Sequence, residues 1–326
     1  MNASVSSLRL QSVAVTPDNF VRAESNLYFG NLVKEGGFGK FYHFRTPAPI
    51  DNQTVIRLNR DTLYSGAVFD LDAGPVTVKL PDPGKRFLSL QAFDEDEYVL
   101  EVAYGAGSHS YTRQKVGTRY LMLAVRILVN PDDPEDVKKV RTLQDSIWVA
   151  QDEPGRFEVP PWDIQSQKKV RDALLALGGT LSDTRHMFGG KSEVDPVRHL
   201  IGAAMAWGGN PEKDALYLNV TPAQNDGKTA YWLHAKDVPI DGFWSITVYD
   251  AKGYIPKNDR GVYSFNNLTA KKDAGGSVTI QFGGDPEKAQ NCIPIVPGWN
   301  YMVRLYRPRR EILNASWQFP TAQPVQ

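Results

Sequence analysis

The densest run of chemically useful side chains is Arg57, Asn59, Arg60 and Asp61, which leads directly into Thr62-Leu63-Tyr64-Ser65. At a two-residue period, Arg57, Asn59 and Asp61 share one side of an extended chain while Ile56 and Leu58 take the other. A cation, an amide and a carboxylate would then face one ligand, with Tyr64 adding a hydroxyl and a flat apolar face and Ser65 a second hydroxyl. On that reading Arg57 holds an anionic group, and Asp61 orients Asn59 or acts as a base. The same residue types also close turns, because Asn and Asp bond nearby backbone N–H groups and Arg satisfies carbonyls. The run is therefore either a ligand site or a structural turn. Asn258-Asp259-Arg260-Gly261 carries the same two readings, and Gly261 favours the turn.

Two histidines offer general-base chemistry, since an unperturbed imidazole titrates near neutrality. His43 shares a strand face with Phe41 and Arg45, and His109 stands in Gly105-Ala106-Gly107-Ser108-His109-Ser110, read as a loop able to reach a pocket. No two histidines have the spacing that puts two imidazoles on one metal, and no metal site is expected. Asp94-Glu95-Asp96-Glu97 lacks the glycine an EF-hand loop needs at its sixth position, where Val99 stands, and reads as a solvated loop. Gly36-Gly37-Phe38-Gly39-Lys40 is followed by Phe41 where a phosphate loop needs Ser or Thr, so it reads as a helix stop. No Gly-x-Ser-x-Gly elbow occurs. The single cysteine, Cys292, reads as a small buried hydrophobe. Nothing in these patterns names a cofactor.

The elements that must position these groups are mostly strands. Period-two segments run over Thr62–Phe69, Val76–Leu80, Arg86–Phe93, Tyr98–Tyr104 and Arg119–Leu128, with turns such as Asp82-Pro83-Gly84 between them. A helix is expected from Thr16-Pro17, and three more from Asp133-Pro134, Asp163 and Asp195-Pro196, each with an N-capping side chain. Strands return over Thr229–His234, Phe243–Tyr249, Ser277–Phe282, Tyr301–Tyr306 and Ser316–Phe319. The aromatic residues there, Trp232, Trp244, Tyr249, Trp299, Tyr301 and Trp317, serve either a sandwich core or a pocket, and core suits most of them. The expected division is 1–130 for a helix and first β-sandwich, 131–215 for a helical segment and 216–326 for a second sandwich.

The two β regions echo one another. Arg86–Asp94 aligns without a gap on Gly242–Asp250, with Tyr98 answering Tyr254. Asn59–Ser65 also resembles Asn258–Ser264, and Asp72–Thr77 resembles Asp273–Thr279, but these segments do not keep one order. The likeness is read as shared strand and turn chemistry rather than as duplication.

In 326 residues Lys+Arg 37 balances Asp+Glu 37 with no long run of like charge, which argues against nucleic acid as a partner. No stretch approaches the length of a membrane helix, and Met1 to Leu10 lacks an export-signal pattern, so a cytoplasmic location and no membrane partner are expected.

At Asn59–Ser65, followed by Val68-Phe69-Asp70-Leu71, the chain resembles the first module of a two-module bacterial family known as domains of unknown function twelve fifty-four and twelve fourteen. Asp241–Asp250, Asn258, Tyr263-Ser264, Gly276–Ile280, Asn291–Pro294 and Arg304-Leu305-Tyr306 carry the resemblance into the second module. It implies a mainly β protein with a helical insert, an immunoglobulin-like sandwich followed by a jelly-roll-like sandwich, and it implies no reaction. Relatives usually carry Trp where Cys292 stands, and many carry export signals. Three functions are compatible with these readings: a small-molecule binding or modifying protein with a polar and aromatic pocket, a scaffold that assembles into a homo-oligomer through sheet edges, and a hydrolase of small esters using His43 or His109.

Overall fold

A computed structural model describes residues 12–53, 56–181 and 183–325. Met1 to Leu10, read above for an export signal, lies outside the described residues. Helix α1 (Phe20–Lys34) opens later than Thr16-Pro17 predicts. The Thr16 N–H donates to Asn19 Oδ1 at 2.8 Å, which makes residues 17–19 a turn ahead of the helix. Then follow β1 (Tyr42–His43), β2 (Thr62–Asp70), β3 (Val76–Leu80), β4 (Leu88–Phe93), β5 (Val99–Tyr104), β6 (Gly107–Tyr111), the short α2 (Arg113–Val116) and β7 (Tyr120–Leu128). The middle of the chain holds α3 (Pro134–Asp145), β8 (Trp148–Ala150), α4 (Ile164–Gly178) and α5 (Pro196–Ala206). Asp133, Asp163 and Asp195 cap α3, α4 and α5 by accepting backbone N–H groups of the first turn, and Pro stands at the first position of α3 and α5.

The last third forms β9 (Ala215–Val220), β10 (Tyr231–Ala235), β11 (Trp244–Tyr249), β12 (Ser264–Asn266), β13 (Val278–Phe282), β14 (Cys292–Ile293), β15 (Asn300–Tyr306), α6 (Arg310–Leu313) and β16 (Gln323–Pro324). Ser316–Phe319, expected as a strand, is bend and coil after α6, where Trp317 N–H returns to the Glu311 carbonyl at 2.9 Å. The protein is mainly β. Four sheets have the orders β1-β2-β7-β4-β5, β6-β3-β8, β12-β11-β15-β9 and β14-β13-β10-β16.

The first two sheets close on Leu63, Phe69, Val78, Leu90, Leu123 and Ile127, and α3 seals the side with Val137 and Val140. The other two close on Tyr231, Trp244, Ile246, Phe282, Trp299 and Tyr301. Most of the aromatic residues singled out in the sequence are therefore core, whereas Tyr249 points away from it. The Cys292 thiol is buried, and burial pushes its pKa up.

Both sandwiches share one strand order. β2-β7-β4-β5 matches β9-β15-β11-β12, and β6-β3-β8 matches β13-β10-β16, with β1 and β14 as additions. The ungapped likeness of Arg86–Asp94 to Gly242–Asp250 falls on equivalent strands, β4 and β11. Asp94 and Asp250 even close the same turn, each Oδ1 accepting the N–H groups two and four residues on at 2.9 Å. The other likenesses are chance: Asn258–Ser264 leads into β12, whereas β2 is matched by β9, so Tyr64 corresponds to Tyr217.

In each sandwich one sheet is buried on both faces. The outward face of β2 and β7 meets α1 at one end, so closely that a Cβ on Gly66 would lie 2.8 Å from Leu32 Cδ2. Helices α1, α4 and α5 pack together there around Phe20, Leu174 and Ile201. The other end of that face is covered by the outward face of β9, β15 and β11, with Phe87, Phe243, Leu128, Ala215 and Tyr306 packed in the seam.

Candidate functional site

The seam between the two outward faces collects much of the polar run Arg57–Tyr64, but not in the predicted arrangement. Residues 57–61 are not a strand: Arg57 sits at φ 56° in a turn, and its N–H donates to the Gly253 carbonyl at 2.8 Å. The alternation expected for Arg57, Asn59 and Asp61 therefore fails, because a left-handed residue rotates the side chains that follow. Tyr64 and Ser65 lie on opposite faces of β2, as neighbours on a strand must, so they do not line one pocket.

Arg57, Asn59, Arg60 and Asp61 are each engaged within the chain. The Arg57 guanidinium donates to Asn300 Oδ1 and lies 5.0 Å from the centre of the Tyr249 ring. Arg60 donates to the Ala48 carbonyl. Asn59 Nδ2 donates to the hydroxyls of Tyr64 and Tyr306, both at 3.2 Å. Asp61 is wholly buried; its Oδ1 accepts from Asn266 Nδ2 at 3.1 Å and its Oδ2 has no partner among the described residues. Burial pushes its carboxyl above the ordinary range, opposed by the nearby charge of Arg304 and by the Asn266 amide.

Ser65 points into the first sandwich, where its Oγ is 2.8 Å from His43 Nδ1 and accepts from Gln144 Nε2 at 3.2 Å. Gln144 also donates to the Phe44 and Tyr64 carbonyls, so this trio pins the end of α3 to β1 and β2. Burial, with the Arg45 charge adding to it, holds the His43 imidazole below its usual pKa. Ser65 is 1% exposed, and α3 stands between it and solvent. His109 is not in a loop. It lies on β6 opposite Val78, with Nδ1 2.9 Å from Glu101 Oε1, and far from Asp61 in the sheet order.

The sequence reading missed the two residues around which the seam is organised. Arg126 on β7 is flanked by Tyr64 on β2 and Ser89 on β4; Arg304 on β15 is flanked by Tyr217 on β9 and Ser245 on β11. Both guanidinium groups are almost completely buried. Arg126 donates to Gln91 Oε1 at 2.6 Å and to the Gly208 carbonyl at 3.2 Å. Arg304 donates to Thr247 Oγ1, which is the equivalent of Gln91, at 3.0 Å, and to the Arg57 carbonyl at 2.9 Å. Each arginine is thus covered by the chain leading into the other module. A lone arginine inside an otherwise apolar strand was the signal available in the sequence.

The carboxylates exchange in the same reciprocal way. Asp61, just before β2, reaches Asn266 on β12; Asp214, just before β9, accepts from the Tyr104 hydroxyl on β5 at 2.7 Å. Asn266 and Tyr104 are equivalent edge-strand positions. Each aspartate also accepts through its carbonyl the N–H three residues beyond the matching arginine, Val129 at 2.9 Å and Arg307 at 2.8 Å. Burial raises Asp214 as it does Asp61, and its Oδ2 is likewise without a partner among the described residues. Such reciprocity is the property of an isologous dimer interface, here contained in one chain. Near the seam's centre Tyr64, Tyr217 and Tyr306 approach Arg126, Tyr306 approaches Arg304 as well, and burial drives the Tyr306 hydroxyl well above its usual pKa. Among the described residues no cluster of His, Cys, Asp or Glu is arranged to hold a metal ion, and no helix is long and apolar enough to cross a membrane.

Two matched β-sandwiches with a helical layer define the class of the protein. Residues 38–114 match the model described as "Protein of unknown function (DUF1254)" and residues 216–310 the model described as "Protein of unknown function (DUF1214)". The chain belongs to the family that carries these two domains in one chain, as the resemblance in sequence implied. The VPA0106 protein from Vibrio parahaemolyticus has a similar solved structure, with a TM-score of 0.71 at 17% identity over 95% of this chain and 98% of that one. A putative uncharacterized protein from Burkholderia cenocepacia is similar with a TM-score of 0.53 at 12% identity, over 94% of this chain and 87% of its own. At these identities the likeness is one of fold. No curated protein matches the chain.

Proposed function

We propose that the protein binds a small organic anion in the seam between its two sandwiches, with Arg126 as the anchor. One observation carries the reading: Arg126 is 8% exposed and has no carboxylate within ion-pair distance among the described residues. A buried cation without a counter-charge costs several kcal/mol, on the order of the desolvation of one ion, and a ligand carboxylate would supply the missing charge through a two-pronged contact. Half-buried Tyr64 and Tyr217 flank that position, and Asn210, whose amide donates to the Tyr217 hydroxyl at 2.9 Å, closes it on the side of α5. The anchoring role given in sequence to Arg57 passes to Arg126, because Arg57 is already held by Asn300.

The test is calorimetric titration of the full chain with a panel of mono- and dicarboxylates, repeated on Arg126→Gln. Saturable binding by at least one acid, weakened about tenfold or more in the variant, is the expected result, since a charge-assisted hydrogen bond is worth about 1.5–3 kcal/mol. Equal affinity in the folded variant would remove Arg126 from the site and the reading with it.

A further inference from the structure

Beyond the seam, at the outer rim where the two modules meet, lies a cavity of about 230 Å³. Lys85, Arg86, Phe87 and Tyr104 line it from the first module, and Asp241 and Arg307 from the second. Phe87 turns its ring from this cavity onto the stacked pair Phe243 and Tyr306 in the seam, meeting Phe243 edge-on and Tyr306 at a tilt. Two of its four charges, Arg86 and Asp241, are already paired. Arg86 is held by Asp136 and the Leu128 carbonyl, and Asp241 accepts from Arg309 Nε at 2.7 Å.

Arg307 is different. Its side chain has no hydrogen-bond or ion-pair partner among the described residues, and its guanidinium lies 4.5 Å from the centre of the Tyr104 ring. Its backbone sits at φ 53°, a left-handed conformation that costs a residue with a Cβ. The internal repeat supplies a control. Val129 is the equivalent position in the first module, donates its N–H to an aspartate carbonyl in the same way, and is wholly buried core. Where the first module buries an apolar residue, the second holds a strained arginine at the wall of a cavity, with its five donors uncommitted.

We infer that this cavity is a second binding site, distinct from the seam, for a small carboxylate with an apolar body. The Arg307 fork takes the carboxylate, Lys85 adds a second positive charge at the mouth, and the apolar body lies along Phe87. Tyr104 keeps the guanidinium plane in place, since its hydroxyl is tied to Asp214 at 2.7 Å and its ring is the surface on which the cation rests.

Benzoate, benzamide and inorganic phosphate serve as probes, titrated into the full-length chain by calorimetry, with Arg307→Gly as the test variant. Glycine adopts the left-handed backbone without penalty, so the variant is expected to melt no lower than the wild type while its benzoate affinity falls about tenfold or more. Benzamide, which has the same shape and no charge, is expected not to bind. Lys85→Gln is expected to weaken benzoate by a smaller factor, because an exposed charge is screened by water and salt. Unchanged benzoate binding in Arg307→Gly, benzamide binding as tight as benzoate, or no saturable signal from the wild type would each overturn the inference. Phosphate binding as tightly as benzoate would overturn the carboxylate assignment. Benzoate binding lost in Arg126→Gln and kept in Arg307→Gly would leave the seam reading standing and end this one.

Discussion

Arg126 and Arg304 occupy the same place in the same fold, yet they are held differently. Arg304 feels the charge of the buried Asp61 nearby and donates to the Arg57 and Leu58 carbonyls and to the Tyr249 hydroxyl. The matching aromatic position beside Arg126 is Phe93, which offers no hydroxyl, and the carboxylate that matches Asp61 is Asp214, which is tied to Tyr104. One half of the repeat forms a closed structural joint, and the other keeps a cation that no carboxylate pairs with among the described residues. A duplicated architecture allows such division, because one copy of a polar row can hold the modules together while its twin is free for other use.

The comparison is broken most directly by removing each arginine. Arg304→Met leaves Asp61 buried without its cation and is expected to cost about 3–5 kcal/mol, the usual penalty for orphaning a buried charge. Arg126→Met strands the Gln91 and Gly208 oxygens, at about 1–3 kcal/mol, but also removes the desolvation cost of an unanswered buried cation, so the net loss is expected to be smaller than that. Urea denaturation midpoints of the two variants measure the difference. Equal losses would mean that the two rows do the same structural work.

The matched turn at Asp94 and Asp250 sharpens the comparison through pH. Burial pushes the Asp94 carboxyl up to about 6, even though it accepts two backbone N–H groups. A carboxyl whose folded pKa exceeds its unfolded value binds protons more tightly when folded. Its stabilisation is complete below the unfolded pKa of about 4 and is lost as pH rises toward 6, by up to about 3 kcal/mol. Asp94→Asn keeps the Oδ1 acceptor and is expected to flatten that part of the stability profile. Asp250→Asn, denatured in parallel across the same pH range, gauges what the shared turn requires of its side chain alone. A profile for Asp94→Asn that still falls between pH 4 and 6 would assign the loss to another group.

How much of this was legible in the sequence depended on whether the signal was local. Helix starts at Asp133, Asp163 and Asp195 were readable because capping is settled within one turn, and Val76–Leu80 because its alternation faces one core. The edge strand Gly107–Tyr111 was not, since Gly, Ser and His carry no hydrophobic alternation and the pairing comes from Val76–Leu80 across the sheet. The left-handed turn at Arg57 gave no warning, because the residue there is not glycine. The polar run stands out in the sequence by its residue types, but its partners, Asn266, Asn300 and Tyr306, lie more than 200 residues away. Arg126 and Arg304 were overlooked because their strands are buried on both faces, which erases the polar face that would have framed them.

The smallest expected effect concerns Glu97, where the two turns differ. Its equivalent is Gly253; both adopt a positive φ, 62° and 87°, and glycine is the residue such a position ordinarily takes. Glu97 is nevertheless wholly buried, and its Oε1 accepts the Gly208 N–H at 2.8 Å, while the Gly208 carbonyl accepts from Arg126. Burial, with Glu24 and Asp94 adding like charge, holds its carboxyl well above the ordinary range, so the group needs no cation beside it. The first module thus tolerates backbone strain in order to hold the segment that lies over Arg126. Glu97→Gly would relieve the strain and release Gly208, two effects of about 1 kcal/mol each and of opposite sign, so the melting temperature is expected to change little. Glu97→Gln, which keeps the acceptor, is expected to match the wild type in hydrogen exchange at residues 207–210, whereas Glu97→Gly is expected to exchange faster there. If Glu97→Gly left exchange at Gly208 unchanged, the cover over Arg126 would not depend on this side chain, and the left-handed glutamate would be without a purpose in the seam.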